Sequence, residues 1–407
     1  MGNLTYSHSK KTLVALASIM GIRMLGLFMI LPVFSAAAIR FPNATPELVG
    51  LTLGIYGLTQ AFFQLPLGML SDHIGRKPVI FFGLLLLLIG SVIAARTHSI
   101  HILLFGRALQ GAGAIGSTVL AFAADLTKES SRGKAMALMG LVIGFAFTLA
   151  MVLGPILNGL FQLSGIFWIT ALLSVFAIIL LTVVIPAAPA VPKISDHTIL
   201  QCLKITLSNK KLLALNFGIA SLHAILTAMF LVLPIILSHR IKINMWHQVS
   251  LYLSVLFFSF IFALPLITIS EKKNLTKIIT AGAIITIIIS EFLFCLYHHR
   301  FVEIALLLFV FFIAFTFLEA TLPSLTSKIA PAHLKGTAMG VYSSCQFFGI
   351  FVGGAAGGYL LSKTNFVGVF LFAACMGLIW LAVILMGNTG LRKQIRPGSL
   401  PSLFVEK

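Results

Sequence analysis

The chain has 407 residues, 59% of them hydrophobic and only 9% charged, with a mean hydropathy of +1.07. Soluble domains are roughly half apolar and about a quarter charged, so this composition excludes a soluble globular protein and selects a polytopic membrane protein. The net charge of +18 does not imply nucleic acid, because the bases lie in short segments between apolar runs and form no contiguous basic face.

Ten polar residues, MGNLTYSHSK, open the chain. The apolar run that follows is too long for the core of a cleavable signal, so the first span is expected to target the chain and stay in place. A membrane crossing needs about 20 apolar residues. Twelve candidates follow in order: 12–38, 47–70, 78–95, 100–123, 134–161, 164–185, 211–238, 247–269, 277–296, 302–326, 335–361 and 365–387. The longest connection, 186–210, opens with prolines and turns polar, as a linker between two six-span halves would. Cys202, Cys295, Cys345 and Cys375 form no CxxC pair and read as small buried hydrophobes. Neither a metal nor another cofactor is expected.

The expected fold is all-α, with twelve transmembrane helices in two six-helix halves. The divisions are 1–185, the linker 186–210, 211–387 and a basic tail 388–407. Three short matches relate the halves. LFMILP at 27–32 answers MFLVLP at 229–234, RGKAM at 132–136 answers KGTAM at 335–339, and LPL at 65–67 answers LPL at 264–266. Their shifts of 202, 203 and 199 residues indicate a duplicated unit in parallel orientation. Parallel halves around a midplane site are a transporter design. Lysine and arginine positions give the orientation. With the N-terminus inside, the inner segments carry 20 bases and the outer segments six, which predicts both termini in the cytoplasm.

The stretch GMLSDHIGRKP, 68–78, packs one acid and two bases between spans 2 and 3. Gly68 and Gly75 allow close approach and tight turning, and Pro78 suits the first turn of a helix. A loop that merely sets topology also explains these bases. The fuller pattern, Gly68, Leu70, Asp72, Gly75, Arg76 and Lys77, resembles motif A of the major facilitator superfamily, with His73 standing where a base is usual. In span 4, Leu103, Arg107, Gln110, Gly111, Gly113 and Ala114 resemble motif B of that family. In span 5, Ala150, Gly154, Pro155 and Gly159 resemble its antiporter motif, with Ala150 and Asn158 in place of glycines. The run 21–34 together with 54–78 looks most like the YajR-type group of proton-coupled efflux transporters, without that group's extra C-terminal soluble domain. The second half reads ITISEKKNLTK at the corresponding place, with Glu271, Lys272 and Lys273 but no paired glycines.

The resemblance implies that Asp72 faces the start of span 11, where a helix N-terminus attracts a carboxylate. It also implies that Arg76 pairs with Asp125. These contacts are expected to clamp the halves on the inner side as a latch favouring an outward-open state.

An ionisable residue inside a span is costly, and function is the default hypothesis. Arg23, Arg107, His223, Glu291 and Glu319 are the candidates. In the family fold, spans 1, 4, 7 and 10 line the central cavity, and these hold Arg23, Arg107, His223 and Glu319. Structural roles are equally open to Arg107 and His223, and Glu291 reads more readily as an interfacial or neutral acid. Glu319 is favoured as a proton carrier because Phe315-Thr316-Phe317-Leu318 beside it is largely apolar. Gly154-Pro155 should bend span 5.

The expected protein is a monomeric alternating-access transporter of the cytoplasmic (inner) membrane, exporting small amphipathic compounds against protons. Its partners are then a small-molecule substrate, protons and lipid. A carrier of an anionic metabolite or siderophore is the alternative, favoured by the buried arginines. A membrane-embedded enzyme is disfavoured, because no HExxH, GxSxG or Cys/His pair appears. A sensor is disfavoured for want of a soluble domain.

Overall fold

The computed structural model describes residues 2–127, 129–185, 199–331 and 334–387. Among these the chain is helical throughout, with no strand. The N-terminal half contains α1 (Gly2–Phe28), α2 (Phe34–Ala38), α3 (Pro46–Ile74), α4 (Arg76–Arg96), α5 (Ile100–Ala112), α6 (Gly116–Asp125) and α7 (Glu129–Ile179). A short helix, α8 (Ile199–Ser208), lies in the expected linker. The C-terminal half contains α9 (Lys210–Ile235), α10 (Met245–Lys272), α11 (Thr276–Leu296), α12 (Phe301–Ile329) and α13 (Lys335–Gly387). Residues 186–198 of the linker and the tail 388–407 lie outside the described residues.

Among the described residues ten stretches are long and apolar enough to cross a membrane. Two of them, Gly133–Val184 and Lys335–Met386, run to 52 residues each, twice and more the roughly 20 that one crossing needs. Each contains one residue of left-handed backbone, Gln162 (φ 60°) and Asn365 (φ 66°). Such a residue interrupts the ladder of backbone bonds and redirects the helix. With those two breaks, each of the twelve apolar runs has its own helical segment.

Positive φ values also expose the repeat. Asn43 and Lys242, Gly75 and Asn274, and Gln162 and Asn365 all have φ between 54° and 95°. The members of these pairs are separated by 199, 199 and 203 residues, the shifts of the sequence matches. These are all six positive-φ residues among those described. The backbone therefore repeats its turns where side chains have diverged.

Three expectations need correction. Span 1 is not one helix. It opens over Met29–Val33 and resumes as α2, because Pro32 cannot continue the hydrogen-bond ladder. Span 4 breaks between Ala112 and Gly116. There Gly113 lies so close to α4 that a Cβ would come within 2.3 Å of the Gly83 carbonyl oxygen. The cysteines are less buried than expected: Cys375 is exposed, Cys295 and Cys345 are intermediate, and the Cys202 side chain lies outside the described residues.

The halves meet mainly where α3 packs on α13 and α7 on α10. Near the start of α3 the approach is backbone to backbone. A Cβ on Gly50 would lie 2.3 Å from the Gly354 carbonyl oxygen, and one on Gly57 2.4 Å from that of Phe347. Small residues permit this contact between helices in lipid. Among the described residues three hydrogen bonds cross between the halves. Ser362 donates to Glu47, Arg40 Nη2 donates to His239 Nε2 at 3.5 Å, and Gln64 Nε2 donates to Ser343 Oγ at 3.1 Å. The first two lie at the end opposite the α3–α4 turn. Gln64 lies ten residues from that turn, about 15 Å along the helix. None lies at the basic end itself, where α3, α6 and α12 finish and α13 begins.

Candidate functional site: a charged turn and a polar centre

At the basic end, α3 stops at Ile74 and α4 begins at Arg76. Gly75 between them holds φ 95° and ψ 156°, a conformation that is essentially glycine's alone. The sharp turn brings Arg76 back over the last turn of α3. Arg76 Nη2 lies 2.5 Å from Asp72 Oδ1, and Nη1 donates to Ser71 Oγ at 2.5 Å. Arg76 Nε donates to Asp125 Oδ2 at 3.1 Å, at the end of α6. The Arg76 side chain is only 12% exposed, so one mostly buried guanidinium joins two acids. Lys77 Nζ donates to the Ile185 carbonyl at 2.5 Å, satisfying an orphan acceptor at a helix end. Gly68 faces Ser117, whose Oγ would stand 3.1 Å from a Cβ there.

Asp72, Arg76 and Asp125 all belong to the N-terminal half. Their contacts described here brace α3, α4 and α6 against one another. Among the described residues the ion-pair partner of Asp72 is Arg76. Ala332 and His333, just before α13, lie outside the described residues. His73 contacts its own helix at Met69 O, 3.1 Å away.

The second group lies inside the bundle. Arg23 of α1 is 1% exposed and donates to Gln60 of α3. Gln60 donates in turn to Gln64 at 3.3 Å, and Gln64 reaches Ser343 of α13. A chain of amides thus leads from α1 across the half-to-half boundary. Arg107 of α5 is also 1% exposed. Its Nη1 donates to Gln110 Oε1 at 2.7 Å, and its guanidinium carbon lies 4.6 Å from the centre of the Tyr56 ring. Gln110 is held by Ser91 Oγ at 2.8 Å.

On the C-terminal side, His223 of α9, Glu319 of α12 and Gln346 of α13 form one cluster. Gln346 Nε2 lies 2.9 Å from His223 Nε2 and 3.2 Å from Glu319 Oε1. His223 Nδ1 lies 3.3 Å from the Ile219 carbonyl. These three contacts are consistent with His223 carrying its proton on Nδ1 and accepting at Nε2 from the amide. Glu319 Oε2 stands 3.9 Å from His223 Nε2. The Glu319 side chain is 38% exposed despite its apolar sequence neighbours, although Oε2 itself is buried with no hydrogen-bond partner. A small cavity between the halves is lined by Arg107, His223, Thr227, Phe28, Leu53 and Ile350 among others.

Residues 16–354 match the sequence profile of the Major Facilitator Superfamily. The chain belongs to the Major Facilitator Superfamily. It is 40% identical to the inner membrane transport protein YajR of Escherichia coli (strain K12), over 90% of this chain and 81% of YajR. It is 32% identical over 138 residues to the class E tetracycline resistance protein of Escherichia coli, 33% of each chain. Among solved structures it resembles the nucleoside transporter NupG, with a TM-score of 0.74 at 15% identity, over 92% of this chain and 99% of NupG. These relatives are transporters and not enzymes, and the chain is a multi-pass membrane transporter of this superfamily.

In this transporter the remaining candidates fall apart from the polar centre. Glu291 of α11 is fully buried with neither oxygen partnered, so water does not reach it in this conformation. Gly154 of α7 faces the opened stretch of span 1, where a Cβ would lie 2.3 Å from the Met29 carbonyl oxygen. Pro155 lies inside α7, and Gly159 meets Met245 of the other half. Gln346, Gln60, Gln64 and Ser343 were missed by reasoning that sought only ionisable groups. The available signal was three glutamines in predicted spans, where amides need partners.

Proposed function

We propose that this transporter works by alternating access in the cytoplasmic membrane, exporting small amphipathic compounds in exchange for protons, as a monomer with both termini cytoplasmic. The observation that carries the coupling is Glu319. Among the described residues it is the one acid within a span that is part-exposed, hydrogen-bonded to α13 through Gln346 and within 3.9 Å of His223 on α9. A carboxylate that gains a proton stops accepting from Gln346 in the same way, so proton uptake would loosen α12 from α13. The similarity to a tetracycline resistance protein over a third of the chain supports efflux, and the 20-to-6 distribution of bases supports the orientation. In this reading the basic end faces the cytoplasm. The Asp72–Arg76–Asp125 group then stiffens the N-terminal half where the two halves part, and engages span 11 when that side closes.

Glu319→Gln fixes the neutral form. It should keep substrate binding and gradient-free exchange, but lose accumulation driven by a pH difference in inverted vesicles. Unchanged pH-driven uptake would remove Glu319 from coupling and move suspicion to His223. A second reading, a carrier of organic anions, is favoured by Arg107, which has no acid beside it among the described residues.

A further inference from the structure

Arg107 and Arg23 are equally buried, yet they differ in which part of the guanidinium is left over. In Arg23 the atoms without a hydrogen-bond partner are Nε and Nη1. These lie on different edges of the fork, and Nη2 between them is taken by Gln60. In Arg107 they are Nε and Nη2. Those two N–H groups point side by side and form the edge that accepts both oxygens of a carboxylate. Arg107 is also the arginine that lines the small cavity between the halves. No acid among the described residues forms an ion pair with it, and its charge meets only Gln110 and the Tyr56 ring. A buried cation without a counter-ion is costly. An anionic ligand would offset that cost and would be held by a fixed, pre-oriented fork, because Gln110 and Ser91 brace the other side.

The rest of the lining sets the shape of the ligand. Phe28, Leu53 and Ile350 are apolar, while His223 and Thr227 belong to α9 on the other half. We propose that this cavity, widened in another conformation of the cycle, binds an amphipathic organic acid, with its single carboxylate on the Nε/Nη2 edge of Arg107 and its apolar body against Phe28, Leu53 and Ile350. Such a ligand touches both halves, as a substrate must if its binding is to drive their movement. The inference rests on reading the chain as a carrier of amphipathic compounds and narrows the class to monocarboxylates.

The test uses three probes with one ring system: 2-naphthoate, 2-naphthamide and 2-naphthylmethylammonium. Binding to the full-length protein in nanodiscs, with no pH gradient, is measured by calorimetry. Naphthoate should bind wild type about tenfold or more tighter than the amide, and the ammonium should bind least. Arg107→Gln should erase that preference, and Arg107→Lys should keep only part of it, since a point charge lacks the fork. If Arg107→Gln is not monodisperse on size exclusion, the lysine variant and the wild-type comparison still decide. Equal binding of acid and amide, absence of naphthoate binding, or an undiminished preference in Arg107→Gln would overturn the proposal. Because no gradient is applied, failure of proton coupling at Glu319 leaves this result unmoved.

Discussion

Two turns occupy equivalent places in the repeat and solve the same problem differently. In the N-terminal half, α3 and α4 turn at Gly75, and Arg76 draws Asp72 and Asp125 together. In the C-terminal half, α10 and α11 turn at Asn274, 199 residues on, and the base has moved. Glu271 at the end of α10 pairs with Lys328 at the end of α12, at 3.0 Å. The connection between helix ends is kept, but its chemistry is weaker. Arg76 is 12% exposed and bridges two acids, whereas Lys328 and Glu271 are 63% and 57% exposed and make one bond. A mostly buried, multiply bonded guanidinium fixes its helices, while an exposed lysine pair contributes about 0–1 kcal/mol. The lesson is that duplicated backbones can hold one half rigid and leave the other pliant at the same position.

The largest break in this comparison should come from Arg76. Arg76→Ala strands two acids beside each other and unties α3 from α6. Transport in proteoliposomes should fall by about tenfold or more while membrane insertion stays intact. Asp125→Ala should cost less, because Asp72 remains. The charge swap Arg76→Asp with Asp125→Arg should recover part of the loss of Arg76→Asp alone, which a double-mutant cycle reads directly. A swap no better than the worse single variant would argue that the pair does not couple.

The turn residues sharpen the contrast at the level of backbone. Gly75 at φ 95° and ψ 156° sits where a side chain is strained by about 1–3 kcal/mol. Space is not the obstacle, since a Cβ would meet only Pro78 Cδ at 3.7 Å. Gly75→Ala should therefore lower thermal stability in detergent through conformation alone. Asn274 at φ 54° already occupies the left-handed region that asparagine tolerates, so Asn274→Gly should be near neutral. Equal effects at the two positions would mean that the turns are under the same constraint after all.

Much of this organisation was legible in the sequence because lipid imposes it. Twelve apolar runs follow from the thickness of a bilayer, whereas the opening of span 1 at Met29–Val33 was not read from the sequence. The repeat showed in three short matches, but its firmer signature, the paired positive φ residues, needed backbone angles. Residues joined by distance in sequence stayed hidden. Glu271 and Lys328 are 57 positions apart, and nothing in either segment names the other. Gln346 stayed hidden for another reason: an uncharged amide in a span raises no alarm, although it joins His223 to Glu319. In the expected latch the contact between the halves is that of Asp72 with the start of span 11, where Ala332 and His333 lie outside the described residues. Arg76 and Asp125 both precede the linker, so their pairing could only brace one half.

The smallest expected effect tests the pliant side. Lys328→Ala removes the one base paired with Glu271, yet both groups are more than half exposed. Water can replace the lost contact, and Lys272 and Lys273 stay on the same helix end to offset the acid's charge. Transport should change by less than about twofold, and stability by about 0–1 kcal/mol. What remains of the effect should vanish at 1 M salt, where the screening length is only about 3 Å. The Arg76 loss should persist at that salt, because its partners are hydrogen-bonded and it is shielded from solvent. A Lys328→Ala defect as deep as that of Arg76→Ala, or one insensitive to salt, would mean that the C-terminal turn is as rigid a support as the N-terminal one.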